Sequence, residues 1–164
     1  MLTNHARLMQ FFSVAKEITG RKKMQKMIYI LQKSNVPFEE KFHFHFYGPY
    51  SEELTLRVEE LYNLGFLDET KEDKGNYSQY HYTITSEGET FLDQFAVEMP
   101  AIAERVEMLQ HRSSRFLELV ATMLYFDGLS FDEMIEKIHL VKGKQNYTDE
   151  EIQEAGRVIA DMKH

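Results

Sequence analysis

Cysteine is missing from the 164-residue chain, and proline occurs only three times. The lack of thiols excludes a disulfide framework, cysteine-ligated zinc, iron–sulfur clusters and thiol catalysis, and it suits a reducing compartment. No apolar run approaches the roughly 18 residues that a membrane span needs. The opening Met1-Leu2-Thr3-Asn4-His5-Ala6-Arg7 has neither the apolar core nor the cleavage site of a secretory signal, so the expectation is a soluble cytoplasmic protein with no membrane partner. Catalytic signatures are missing as well: there is no G-x-S-x-G elbow, no phosphate-cradling G-x-x-x-x-G-K-[ST] and no H-E-x-x-H. Adjacent carboxylates such as Glu52/Glu53, Glu59/Glu60 and Glu150/Glu151 point about 100° apart on a helix, as solvated side chains do. The chain is expected to be non-enzymatic and to need no cofactor.

What the chain does have is 43% hydrophobic content and a lopsided charge. At this length a single core can bury about 70% of the unfolded chain's surface, enough to stand without a metal or disulfide staple. The net charge is −8, yet residues 1–50 carry 8 basic and 3 acidic side chains, whereas residues 51–164 carry 11 basic and 24 acidic ones. Five of the first eight cations lie between Arg21 and Lys33. Such a cluster is either a solvated helix face or the electrostatic footprint of an anion-binding end.

Periodicity supplies the order of elements. Leu8, Phe11, Phe12, Ala15 and Ile18 recur at helical spacing, with Gly20 in C-cap position. Met24, Met27, Ile28 and Leu31 define a second helix over residues 21–34, with Arg21, Lys22, Lys23 and Lys26 toward its other faces. Phe42-His43-Phe44-His45-Phe46-Tyr47 alternates with period two and predicts a strand that Gly48-Pro49 stops. Ser51 can cap a third helix, with Leu54, Val58 and Leu61 facing inward and an end at Gly65. Segments 66–70 and 80–84 alternate around a polar loop from Lys71 to Ser78, which predicts an antiparallel hairpin. Ser86 and Glu89 read as a capping box for a helix that stops near Pro100. Beyond it, Ile102 to Met123 predicts one helix of about 26 residues, whose apolar length raises the expectation of a homodimer. Leu129-Ser130-Phe131-Asp132-Glu133-Met134 reads as a capping box with a hydrophobic staple, and Tyr147-Thr148-Asp149-Glu150-Glu151-Ile152 repeats the device.

Helix, helix, intervening segment, helix, hairpin, helix is the element order of a winged helix. Leu64-Gly65-Phe66-Leu67, a polar loop, then Tyr82-Thr83-Ile84-Thr85-Ser86-Glu87-Gly88 closely resembles the wing of many bacterial transcriptional regulators. Over residues 5–70, Gly20-Arg21-Lys22-Lys23-Met24-Gln25-Lys26-Met27-Ile28-Tyr29 and Phe46-Tyr47-Gly48-Pro49-Tyr50-Ser51-Glu52-Glu53-Leu54 resemble the YwgA family of small Firmicute proteins, and nearly the whole chain is consistent with that family. The resemblance extends more distantly to the SocA-like, or Panacea, domain, which implies an antitoxin or a protein-delivering adaptor. The chain departs from the Panacea pattern in its fuller wing and two extra terminal helices.

The expected fold is therefore α+β and mostly helical: a winged helix-turn-helix core with a short β-hairpin wing at residues 1–98, then a C-terminal helical extension at 99–164. Tyr47, Gly48, Pro49, Tyr50 and Ser51 form the most distinctive local motif, which reads either as a strand-to-helix turn or as a partner-binding surface rich in tyrosine. Arg21, Lys22, Lys23 and Lys26 are the candidate nucleic-acid contacts, because the third helix carries Glu52, Glu53, Glu59 and Glu60 against Arg57 alone. His43 and His45 would lie about 7 Å apart on one strand face, but further ligands at metal spacing are missing, so no metal is assigned. The functional expectation is a regulatory module that binds a protein partner; the alternative is a DNA-binding transcriptional regulator.

Overall fold

The computed structural model describes residues 2–45, 48–95, 97–99 and 101–163. Among them the chain is α+β, with eight α-helices and two small antiparallel sheets. Helix α1 spans Thr3–Ala15 and buries Leu8, Met9, Phe11 and Phe12 completely. It ends three residues earlier than its spacing predicts. Lys16 takes a positive φ of 68°, and Ile18, read as the helix's last apolar position, belongs to a strand β1 at Glu17–Thr19. Gly20, with φ +95°, is accordingly not the C-cap of α1; it occupies the N-cap position of α2, Arg21–Lys33.

The alternating Phe/His segment forms β2, His43–His45, and Gly48-Pro49 does not stop it. Those residues open β3, Gly48–Tyr50, which returns antiparallel with His45 opposite Gly48 and Phe44 opposite Pro49. Phe46 and Tyr47, expected to finish the strand, lie outside the described residues. Helix α3, Glu52–Asn63, follows as predicted: Ser51 accepts from the Leu54 N–H at 3.1 Å, and Leu54, Val58 and Leu61 are buried. Gly65, at φ +82°, turns the chain out of it.

Strands β4, Leu67–Asp73, and β5, Ser78–Ile84, pair antiparallel along their whole length, so the loop is shorter than the predicted Lys71–Ser78. β1 adds to the free side of β5, giving the order β1-β5-β4 with Ile18 opposite Tyr82. Helix α4, Ser86–Gln94, is capped by Thr85, whose hydroxyl accepts from Gly88 N–H at 3.0 Å, and not by the predicted Ser86–Glu89 box. Pro100, expected to stop this helix, lies outside the described residues, and α4 already ends at Gln94.

The predicted 26-residue helix is two helices. α5, Ile102–Gln110, and α6, Ser114–Tyr125, are separated by His111 to Ser113, because Ser113 recruits the Phe116 N–H as a fresh N-cap. α7, Phe131–Val141, and α8, Asp149–Met162, both open on the predicted reciprocal capping boxes, at Ser130/Glu133 and Thr148/Glu151. Leu129, the expected staple residue, stays 40% exposed. The apolar face of α6 packs on α2 and α8, so the length that suggested a homodimer seam is buried inside the chain. One hydrophobic core runs without interruption from Ala6 to Met162 and includes residues on both sides of position 98.

Candidate functional site

The Tyr-Gly-Pro-Tyr-Ser motif lies between α2 and α6. Tyr47 lies outside the described residues. Gly48 and Pro49 are buried in β3, and Gly48 adopts φ +102°, which an L side chain resists. Ser51 is completely buried and gripped on both backbone groups by Gln25, which accepts from Ser51 N–H and donates to Ser51 C=O, each at 2.9 Å. The Gln25 amide also donates to the Thr55 hydroxyl at 3.1 Å, and the Tyr50 hydroxyl is 2.8 Å from that same oxygen. The motif thus locks the start of α3 onto α2. Of its described members, half-buried Tyr50 retains accessible surface, with its ring 5.7 Å from His45.

Beneath Gly48 is a buried charge cluster that the sequence reading missed. A methyl group at Gly48 would touch Glu118 Cγ at 3.7 Å. Glu118 is 7% exposed; Lys142 Nζ lies 3.5 Å from its Oε1, and the Tyr147 hydroxyl donates to its Oε2 at 3.3 Å. Lys26, 6% exposed, faces the same carboxylate, and burial holds its ammonium below the usual lysine range while Glu118 acts in the opposite sense. Burial, and then the Glu118 charge, push the Tyr147 hydroxyl up, so it stays a donor. One signal was available: Glu118 is the sole charged residue from Phe116 to Phe126, an apolar stretch with no other reason to carry a carboxylate. The cluster is buried, and it ties β3, α2, α6 and the end of α7 together.

The candidate nucleic-acid contacts on α2 are largely committed within the fold. Arg21 donates to the Tyr82 hydroxyl at 3.0 Å and to Glu69 at 3.2 Å, and its guanidinium lies 3.6 Å from the Tyr80 ring centre. Burial raises the Tyr82 pKa to about 12, against the opposing pull of Arg21. Lys23 donates to the Gln110 carbonyl at 2.7 Å. Lys26, expected on an outer face, is buried where β3 and α6 pack on α2; Lys22 is exposed. The four side chains are therefore not one solvent-facing patch.

Helix α3 presents a different surface. Arg57, its single cation, turns inward onto the buried carboxylate of Glu40. Glu53 accepts from the Lys41 N–H at 2.7 Å, and Glu60 meets His5 at 3.2 Å. Outward it exposes Leu56 (57%) and Tyr62 (48%), and Leu64 (57%) follows in C-cap position. No three metal-ligating side chains come together among the described residues. Nor is any described helix long and apolar enough to cross a membrane.

No protein-family model matches the chain. It is 56% identical over 163 residues, covering 99% of this chain and 98% of the relative, to the uncharacterized protein YwgA of Bacillus subtilis (strain 168).

Proposed function

The chain belongs to the YwgA family, and we propose that it is a non-enzymatic regulatory module of winged-helix type that binds a protein partner through the outer face of α3. The order α1, β1, α2, the β2–β3 pair, α3, then the β4–β5 hairpin with β1 alongside β5, supports the winged-helix reading, with β2–β3 as an insertion between α2 and α3. The observation that carries the function is the chemistry of α3. In a winged helix this helix would approach nucleic acid, yet here Glu52, Glu59 and Glu60 are exposed while Arg57 is held by Glu40. Carboxylates repel a phosphate backbone. Exposed Leu56, Tyr62 and Leu64 instead supply the apolar and aromatic contacts that protein interfaces concentrate at their centres. A SocA-like adaptor or antitoxin would be one form of this reading, distinguished by whether the captured partner is a toxin.

The test is a tagged pull-down from native lysate, with and without nuclease, using the wild type and a Leu56→Asp/Tyr62→Ala variant of unchanged melting temperature. A discrete partner that survives nuclease and is lost from the variant is the expected result. Equal recovery by both proteins overturns the assignment to α3.

The DNA-binding alternative has its own readout. Lys26 is buried and Arg21 is shared with Glu69, so about one or two phosphates can be neutralised and the log–log salt slope on duplex DNA should have a magnitude of about 1–2. A slope of about 5 or more, measured by fluorescence anisotropy, would instead favour a transcriptional regulator.

A further inference from the structure

The end of α3 borders an apolar groove of about 370 Å³, formed with the start of α1, the turn into β4, and α4. Leu2, Leu64 and Phe95, in the N-cap position of α1 and the C-cap positions of α3 and α4, line it and are each at least 41% exposed. The same lining contains a row of aromatic rings: Phe66 stacks on Phe91 at 4.7 Å, and Phe91 meets Phe95 at 4.9 Å. Apolar side chains gathered at one concavity, unlike the same residues scattered singly, mark a binding surface.

The charge around the groove has one sign. Glu87, in the first turn of α4, lines it. Glu89 and Asp93 are exposed on the same helix, which has no lysine or arginine, and none of these three carboxylates has an ion-pair partner among the described residues. On α3, exposed Glu60 stands one turn before Leu64 and meets His5, which is one turn after Leu2, while Arg57 is turned onto Glu40. An approaching partner would desolvate carboxylates here, so it has to bring cations along with apolar groups.

A helix suits the groove better than an extended strand does. No described strand residue lines it, and the backbone of the turn is already used: Phe66 N–H donates to the Leu61 carbonyl at 3.0 Å, and the Phe66 carbonyl accepts from Thr85 N–H at 3.1 Å. The incoming chain therefore has to satisfy its own backbone, as a helix does. A second copy of this chain is a poor occupant, because its net charge is −8 and its basic helix, α2, is buried continuously from Met24 to Leu31. We infer that the groove takes the apolar stripe of a cationic amphipathic helix, with its large apolar side chains on the Phe66–Phe91–Phe95 row and a flanking lysine or arginine facing Glu87. The inference rests on the proposal that α3 meets a protein, and it names the chemistry of the segment that protein presents.

Fluorescence anisotropy of the full chain with three labelled synthetic peptides of about 18 residues, five helical turns, tests this. The first is an amphipathic Leu/Lys helix, the second has the same composition with its apolar stripe scrambled, and the third is an amphipathic Leu/Glu helix. The first should bind about tenfold or more tighter than either of the others. Phe95→Ser, a change at an exposed position, should weaken it about tenfold. Glu87→Lys should weaken the Leu/Lys helix and strengthen the Leu/Glu helix, a reversal that loss of folding cannot produce. Equal binding of the Leu/Lys helix and its scrambled form would show charge attraction without a groove and overturn the inference, as would no binding of the Leu/Lys helix at about 100 μM or a Phe95→Ser variant that binds it normally. The lysate pull-down keeps the two proposals apart. A partner lost from Leu56→Asp/Tyr62→Ala but kept by Phe95→Ser/Glu87→Lys would leave α3 as the contact and overturn the groove alone, whereas the opposite pattern would overturn the assignment to α3 and keep the groove.

Discussion

Replacing Glu118 by alanine should lower the unfolding free energy by about 3–5 kcal/mol, the range expected when one partner of a buried ion pair is removed. Lys142 and Lys26, 5% and 6% exposed, would then lose the carboxylate that both face. Tyr147 would lose one of its two acceptors and keep the Arg115 carbonyl, 3.2 Å away. For a chain of this size the melting temperature should fall on the order of 10 °C. A companion variant separates charge from packing. Lys26→Met/Glu118→Leu/Lys142→Met removes all three charges at similar volume and should recover most of the loss, because well-packed apolar replacements of buried ion pairs are often neutral or stabilising. Urea denaturation reads both. A Glu118→Ala variant within 1 kcal/mol of wild type would contradict the buried cluster.

Gly88→Ala should cost about 1–3 kcal/mol, in the range for overpacking a tight site. A methyl there would run into the Phe66 carbonyl oxygen and come within 2.6 Å of Met9 Cε and 2.9 Å of Ile84 Cγ1. The side chains could shift, but the carbonyl is backbone, and Phe66 C=O is already engaged by the Thr85 N–H at 3.1 Å. Gly156→Ala, inside α8 with open space around it, should instead stabilise by up to about 1 kcal/mol. Thermal melts of the two variants should therefore move in opposite directions. The same contact gives a physical reason for the glycine that ends the Tyr-x-Ile-Thr-x-x-Gly stretch: α4 starts so close to the β4 entrance that no side chain fits.

Elements with a full period were legible in the sequence. α2 and α3 show several turns of one-sided apolar spacing, and the two last helices announce themselves by reciprocal Ser/Glu and Thr/Glu caps. β1 was not legible, because three residues cannot display alternation and Ile18 lies at i+3 from Ala15, continuing the helical pattern. The break before α6 hid for a similar reason: Leu109 and Phe116 are seven apart, two turns of an unbroken helix, so the pattern masks a new cap at Ser113. At the site, the sequence pointed to the Gly-Pro turn and to the basic end of α2. It could not place Lys26 inside, since a lysine in a basic cluster on an amphipathic helix reads as surface until β3 and α6 are known to pack there. Glu40 and Arg57 were invisible as a pair, being 17 positions apart with β2 and β3 between them, a spacing no local pattern links.

The pairing of β1 with β5 also sets a schedule for the growing chain. Ile18 meets Tyr82, 64 residues later, so on the ribosome the short strand waits until the whole β5 segment has emerged. At about 5–20 residues per second that is an interval of roughly 3–13 s. Throughout it α1 and α2 can form from local contacts, but the strand between them keeps its N–H and C=O groups open to any other strand nearby. A ribosome-stalled chain ending before Gln79 should therefore be more prone to aggregation than one in which β5 has cleared the exit tunnel. Once β5 has cleared the tunnel, β1 is paired along one side as the outer strand of the β1-β5-β4 ladder.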